Sequence, residues 1–479
     1  MQRDSLGGID ELWPITGNHA MQGNSIGLRR LFQFLPWTFF CLWNMTPILR
    51  GAEPTLRVGS ATVDFQADDS MVIGGGIGPG KAQGQEGKLR AVAVVLGDPM
   101  QRLAIVACDI LMVERDILDA ACRQIESKTG ISTKNILINA THTHHAPTTC
   151  TVHGYEREEA FTRHVQECIV EAVIQADKVA KESAPCTFLF RLGEESSVGQ
   201  NSRLLLGNNK IFWVGTREDV VRPTGPFDPE LPVLAFRRPD EKYAAILFNH
   251  STHTIGTREP GKRSPSFYGL AAQELEKELG TNVSFLEGAS GSTHNITLTA
   301  KEAEYRIKSA VERALAQARP MPVSPLASRK REIEVRVRHF DELKEDDAVR
   351  SYCIERIPDK NGAESVIEVF RKMRRKLADR QGQVRKTWVQ ALRIGDVAIV
   401  GVPGEYFTRL GQEIKRQSPF RYTIVAELAN DWVGYIPDRE GYALGGYQVW
   451  TGLHSYVAPG TGELIVDTAV ELLEELKKE

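Results

Sequence analysis

Short apolar runs closed by polar or glycine-containing turns organise the chain from residue 56 onward. Residues 56–64, 90–96, 103–108, 136–138, 244–248, 283–286 and 421–426 carry apolar side chains over strand length and predict strands. Residues 391–402 predict two strands around a Gly395-Asp396 turn. Helical spacing of apolar positions marks 117–129, 159–181, 270–279, 302–318 and 465–478. Residues 187–250 alternate strands with turns, 323–343 reads as strand, and 345–386 reads as a charged, largely helical stretch. No repeat, low-complexity block or linker interrupts 55–479. The expectation is a mixed α+β (α/β) fold, one large domain over 53–479, with mixed sheets flanked by helices.

Polar residues gather where these runs stop. The 136–138 run leads into Thr141-His142-Thr143-His144-His145, and the 244–248 run into Asn249-His250-Ser251-Thr252-His253. After 283–286 comes a small-residue turn ending in His294, and after 397–402 comes Pro403-Gly404-Glu405. In an extended segment His142 and His144 share a face and His145 points away. Converging imidazoles suit a metal site or a proton relay; a surface cluster with no role is the plain alternative. Two imidazoles, a carboxylate and one more oxygen donor suit Zn²⁺, and tyrosines at 435, 442 and 447 offer that oxygen. Strand ends are where such a sheet builds a site. His250 reads as a cap beside the site, Asp109 as an acceptor for a ligating histidine or a strand cap. His153, His164, His339 and His454 read as surface residues. The glycine run 74–80 lacks the GxGxxG spacing and reads as a loop.

Composition narrows the partners. A net charge of −3 over 479 residues gives no bulk attraction to nucleic acid, and the basic run 371–376 reads as a solvated helix face. Seven scattered cysteines without a CxxC pair argue against a thiolate zinc site and leave one or two disulfides open. Residues 31–49 hold no charged side chain, follow Arg29-Arg30, and precede Arg50-Gly51-Ala52. Residues 1–52 therefore read as a targeting segment, a signal peptide with an uncleaved anchor at 31–49 as its rival, and export follows.

Five stretches in order resemble the neutral/alkaline (non-lysosomal) ceramidase family. They are residues 58–64, Thr141 to Pro147 against the family's S/T-H-T-H-S-G-P, and Asn249 to Thr254 against N-x-x-x-H-P. The others are Val402 to Phe407 against V-P-G-E-F, and Tyr435 to Tyr442 against Y-I-T-T-x-E-E-Y. The resemblance implies zinc bound by His142, His253, Glu405 and Tyr435. It implies that His144, Arg203 and Tyr447 orient an amide and handle protons. The substrate class it implies is a small N-acyl amide or lipid-like molecule, with peripheral membrane contact allowed.

Two departures stand out. The family loop G-D-V-S-P-N is here Gly291-Ser292-Thr293-His294-Asn295, and S-A-D-F is Ser264-Pro265-Ser266-Phe267, so acids give way to serine and His294 enters as an added ligand, a base or a loop residue. The leading expectation is a secreted zinc amidohydrolase. The rivals are a non-catalytic metal-containing binding protein of the same fold and a hydrolase of another ester or amide.

Overall fold

The computed structural model describes residues 56–98 and 100–479. The expected leader at 31–49 lies outside the described residues, among which no helix is long and apolar enough to cross a membrane.

Three sheets carry the architecture. The first runs Arg57–Asp64, Arg90–Gly97, Arg102–Cys108, Ile136–Ala140; the second runs Val283–Glu287, Tyr243–His250, Glu230–Arg237, Thr187–Glu194, Arg319–Pro320. The third runs Leu326–Arg336, Val384–Ile394, Val397–Gly401, Tyr422–Ala426. Each sheet is antiparallel except for one parallel pair at an edge. Those pairs close at Cys108 beside Ala140, at His250 beside Glu287, and at Gly401 beside Ala426.

Alternation explains why the strand runs are apolar throughout. In the first sheet Val94, Ile105 and Leu137 face a central core shared with Phe236, Leu247 and Leu286 of the second and Leu392, Ile399 and Ile424 of the third. Their neighbours Ala93, Val106 and Ile138 face the other way. Helices cover each outer face: Arg115–Thr129 and Glu159–Glu182 on the first, Ser266–Leu279 and Ala300–Gln317 on the second, Thr408–Gln417 and Thr461–Lys477 on the third. A strand buried on both faces has no polar side to show.

Buried amides staple the sheets where the parallel pairs end. Asn139 accepts from Glu287 N (3.0 Å) and donates to the Glu427 carbonyl, while Asn249 donates to Leu286 O (2.8 Å) and Val425 O (3.1 Å). Asn430 N donates to Ile138 O at 2.8 Å. Each such group left unpaired would cost roughly 1–3 kcal/mol, so the three strand ends hold a fixed relation.

Two expectations change. The helical reading of 345–386 ends early, at a hairpin of Glu342–Arg356 and Lys360–Leu377, because Gly382 turns with φ 74° into the long strand Val384–Ile394. The six described cysteines are all buried and free, so none forms a disulfide.

Candidate metal and catalytic site

The three parallel pairs release their chains toward one point. His142 follows the first, His253 the second and Glu405 the third. Their Nε2 atoms stand 3.0 Å apart, and the Glu405 Oε2 lies 3.6 Å from His142 and 3.5 Å from His253. The Tyr435 hydroxyl is 3.0 Å from His253 Nε2, carried there by the parallel pairing of Tyr435–Ile436 with Glu405–Tyr406. His144 Nε2 is 3.2 Å from His142 Nε2, and one ring nitrogen of each of His142, His144 and His253 lies within 4.8 Å of the other two.

His142 and His144 do converge, by a route other than an extended strand. His142 adopts φ 60°, a left-handed conformation uncommon outside glycine, and turns the chain so that both rings meet. His145 points away, its Nε2 accepting from Gly256 N at 2.8 Å.

Which nitrogen carries the proton follows from the carbonyls. Nδ1 of His142 donates to Leu111 O (2.8 Å), that of His144 to Gly75 O (3.0 Å), and that of His253 to Ser290 O (2.9 Å). A carbonyl only accepts, so each ring is protonated at Nδ1 and turns an Nε2 lone pair inward. The Nε2 contacts are therefore lone pair facing lone pair, beside a carboxylate. A proton between them would require an imidazolium, and burial with the neighbouring His253 pulls His142 down to about 4. Burial and the surrounding rings hold His144 well below the usual range, and burial with the His253 and His142 rings does the same to His294. Burial pushes Glu405 up, but the adjacent His253, His142 and Tyr435 side chains outweigh it and leave it at about 2, an anion.

A cation would resolve this arrangement. Donors about 2.0–2.1 Å from one tetrahedral Zn²⁺ stand roughly 3.3–3.4 Å apart, close to the spacings of His142, His253 and Glu405. Carbonyl acceptors behind each ring are the outer-shell partners of a metal-bound histidine. Trp432 Nε1 adds one more, donating to Glu405 Oε1 at 3.2 Å.

Glycines allow the close approaches. A Cβ on Gly75, at φ 108°, would stand 2.6 Å from His144 Nδ1, and one on Gly291 would stand 2.4 Å from the Glu405 carbonyl oxygen. The glycine run is a loop, as its spacing implied, and it also holds His144.

Depth separates the residues. His142, His253, Glu405 and Tyr435 are 1, 1, 4 and 3% exposed, whereas His144, His294 and Tyr447 are only half-buried above them. His294 stacks on His253 with ring centres 4.2 Å apart and 14° between planes. Tyr447 meets Tyr435 edge-on at 5.8 Å and stacks on Trp213 at 4.8 Å. Arg203 does not reach the imidazoles. Its guanidinium donates to Gln448 Oε1 (2.9 Å), Gly441 O (3.0 Å) and Gly445 O (2.7 Å), bracing the turn that presents Tyr447. A cavity of about 680 Å³, with Glu114, Arg385, Trp432 and Tyr456 in its lining, is lined by none of the imidazoles.

One more expectation is corrected and two open readings are decided. His153 and His454 are buried at 6% and 1%, packed around Tyr447, not surface residues. Asp109 accepts from Thr141 (3.2 Å) and pairs with Arg90 (3.8 Å), so it closes a strand and meets no ligating histidine. Tyr442 turns its hydroxyl to Val457 O at 2.7 Å, away from the site.

Solved structures decide the fold's kinship. The neutral ceramidase from Pseudomonas aeruginosa matches with TM-score 0.67 at 20% identity, over 88% of this chain and 75% of that one. In fold, the chain is similar to neutral ceramidase. A ceramidase complexed with C2 matches with TM-score 0.67 at 17% identity, over 89% of this chain and 76% of that one. No protein-family model and no curated protein matches the sequence.

Proposed function

We propose that the chain is a zinc-dependent amide hydrolase of the neutral ceramidase type, acting on an N-acyl amine. The observation that carries this reading is the tautomer lock: three Nδ1–H groups fixed on backbone carbonyls turn three Nε2 lone pairs inward, those of His142 and His253 within 3.6 Å of the Glu405 carboxylate. His142, His253, Glu405 and Tyr435 would hold the ion, which when bound supplies a Lewis acid and a water acidified to about pKa 7.

The remaining chemistry belongs to the half-buried rim. His144 is neutral, keeps its Nε2 lone pair free, and is oriented through Nδ1 to Gly75, which fits it to take a proton during attack on the carbonyl carbon. Tyr447 keeps its phenol proton, because burial and Glu405 hold it well above the usual range, so its hydroxyl can donate to an oxyanion. Arg203 acts through Tyr447, by bracing its turn. His294, stacked on His253, walls one side of the opening and offers a second neutral imidazole.

A binding-only reading draws support from the two lost acids. Ser266 Oγ is turned to Gly256 O (2.7 Å) and Ser292 Oγ to Thr408 (3.2 Å), so neither faces the imidazoles. Metal analysis together with fatty-acid release from a panel of N-acyl amines separates the readings. Stoichiometric zinc with release is the expected result. Zinc without release from any member would favour binding, and the absence of zinc would reject both.

A further inference from the structure

We infer that His153 is a positioning residue for Tyr447, fixing the direction in which the phenol proton points; this rests on the hydrolytic reading above. The His153 Nε2 lies 3.1 Å from the Tyr447 hydroxyl oxygen. Nδ1 of the same ring is buried with no hydrogen-bond partner. Two neutral tautomers are open to the ring, and they leave different orphans. With the proton on Nδ1, a buried N–H donor goes unpaired; with the proton on Nε2, only a lone pair does. Orphaned buried donors are the rarer and costlier of the two. His153 therefore carries its proton on Nε2 and donates it to Tyr447. That hydroxyl must then turn its own hydrogen away from His153, where the Tyr435 ring and the open side of the site lie.

The surroundings hold this bond in place. His153 sits at φ 49°, a strained conformation for a residue with a side chain, and Gly154 follows at φ 86°. Its backbone N–H donates to Met373 Sδ at 3.3 Å. Its ring packs 5.0 Å from that of His454, whose Nε2 lies 3.1 Å from the Tyr447 carbonyl. The same residue is thus gripped at ring and backbone by two histidines. Strained backbone that serves only packing would not need a ring nitrogen on a phenol beside the ligand tyrosine.

Nitrogen-15 NMR of the histidine rings in the purified, metal-loaded protein tests this without any substrate. The expected His153 signals are those of an Nε2–H ring at pH 7. An Nδ1–H ring or an imidazolium would overturn the inference. Kinetics give the second arm: His153→Leu should lower kcat ten- to a hundredfold with KM and zinc content unchanged. His153→Gln, whose amide N–H reaches the same place, should recover most of that loss. A leucine variant with wild-type kcat would also overturn it. Should the leucine variant not fold, the glutamine variant and the NMR decide. A wild type that cleaves no N-acyl amine would remove the hydrolytic reading while the tautomer measurement still reports on the bond.

Discussion

Two groups of buried histidines stand side by side in this molecule and are wired in opposite senses. In His142, His144 and His253 every Nδ1 is satisfied by a carbonyl and every Nε2 is left facing its neighbours. In His153 and His454 every Nε2 is satisfied at Tyr447 and every Nδ1 is left without a partner. Burial holds His142 in the first group and His153 in the second at about 4, and keeps His144 and His454 well below the usual range. What differs is where the spare lone pairs go. In the first group they turn inward beside a carboxylate, where they could hold a cation; in the second they are isolated, and the rings serve as donors. The fixed nitrogen, more than the presence of histidine, sets the chemistry.

The largest effect expected from this contrast is on metal retention. Glu405→Ala removes the one anion among the converging donors and should empty the site, taking activity to background. His454→Leu, in the other group, should keep zinc at the wild-type ratio. Metal-to-protein ratios after dialysis check both, and zinc lost from the His454 variant alone would reverse the assignment of the two groups. A smaller effect follows from Trp432. Replacing it by phenylalanine removes the indole N–H from Glu405 Oε1 and should weaken zinc binding roughly 10–100-fold, the usual scale for an outer-shell partner. Competition with a chelator measures it; an unchanged affinity would mean that the indole only fills space.

The strand ends were legible because doubly buried strands write themselves as continuous apolar runs, so His142, His253 and Glu405 could be read as residues where such runs stop. The acceptors that make them donors were not. Leu111, Gly75 and Ser290 act through backbone carbonyls, which any residue supplies, and leave no side-chain signature. His153 and His454 lie among Thr151, Glu156 and Ser455, which locally read as surface; what covers them includes Phe370 and Met373, brought from a distant helix. Arg203 shows the same limit. A lone arginine in sequence does not say whether its guanidinium meets a substrate or, as here, the carbonyls of a turn. The left-handed backbone at His142 was equally hidden, since nothing in T-H-T-H-H requires φ 60°.

The smallest predicted effect concerns stability and separates the groups without any metal. Burial depresses His153 to about 4 in the folded chain, against roughly 6.5 for a free imidazole. Between those values the unfolded chain binds the proton and the folded chain does not, so stability falls as pH drops from about 6.5 toward about 4. One such ring contributes at most about 1.4 kcal/mol per pH unit across that window. His153→Gln cannot take up the proton, so its stability should fall less steeply over the same range. Urea midpoints at pH 7, 6 and 5, with chelator present so that the converging trio stays metal-free in both proteins, give the two slopes. Because the converging trio is the same in wild type and variant, the difference in slope belongs to His153 together with His454, whose ring it packs against. Parallel slopes would mean that His153 opens to water and ionises before the fold is lost, which its packing against Tyr447 and His454 does not allow.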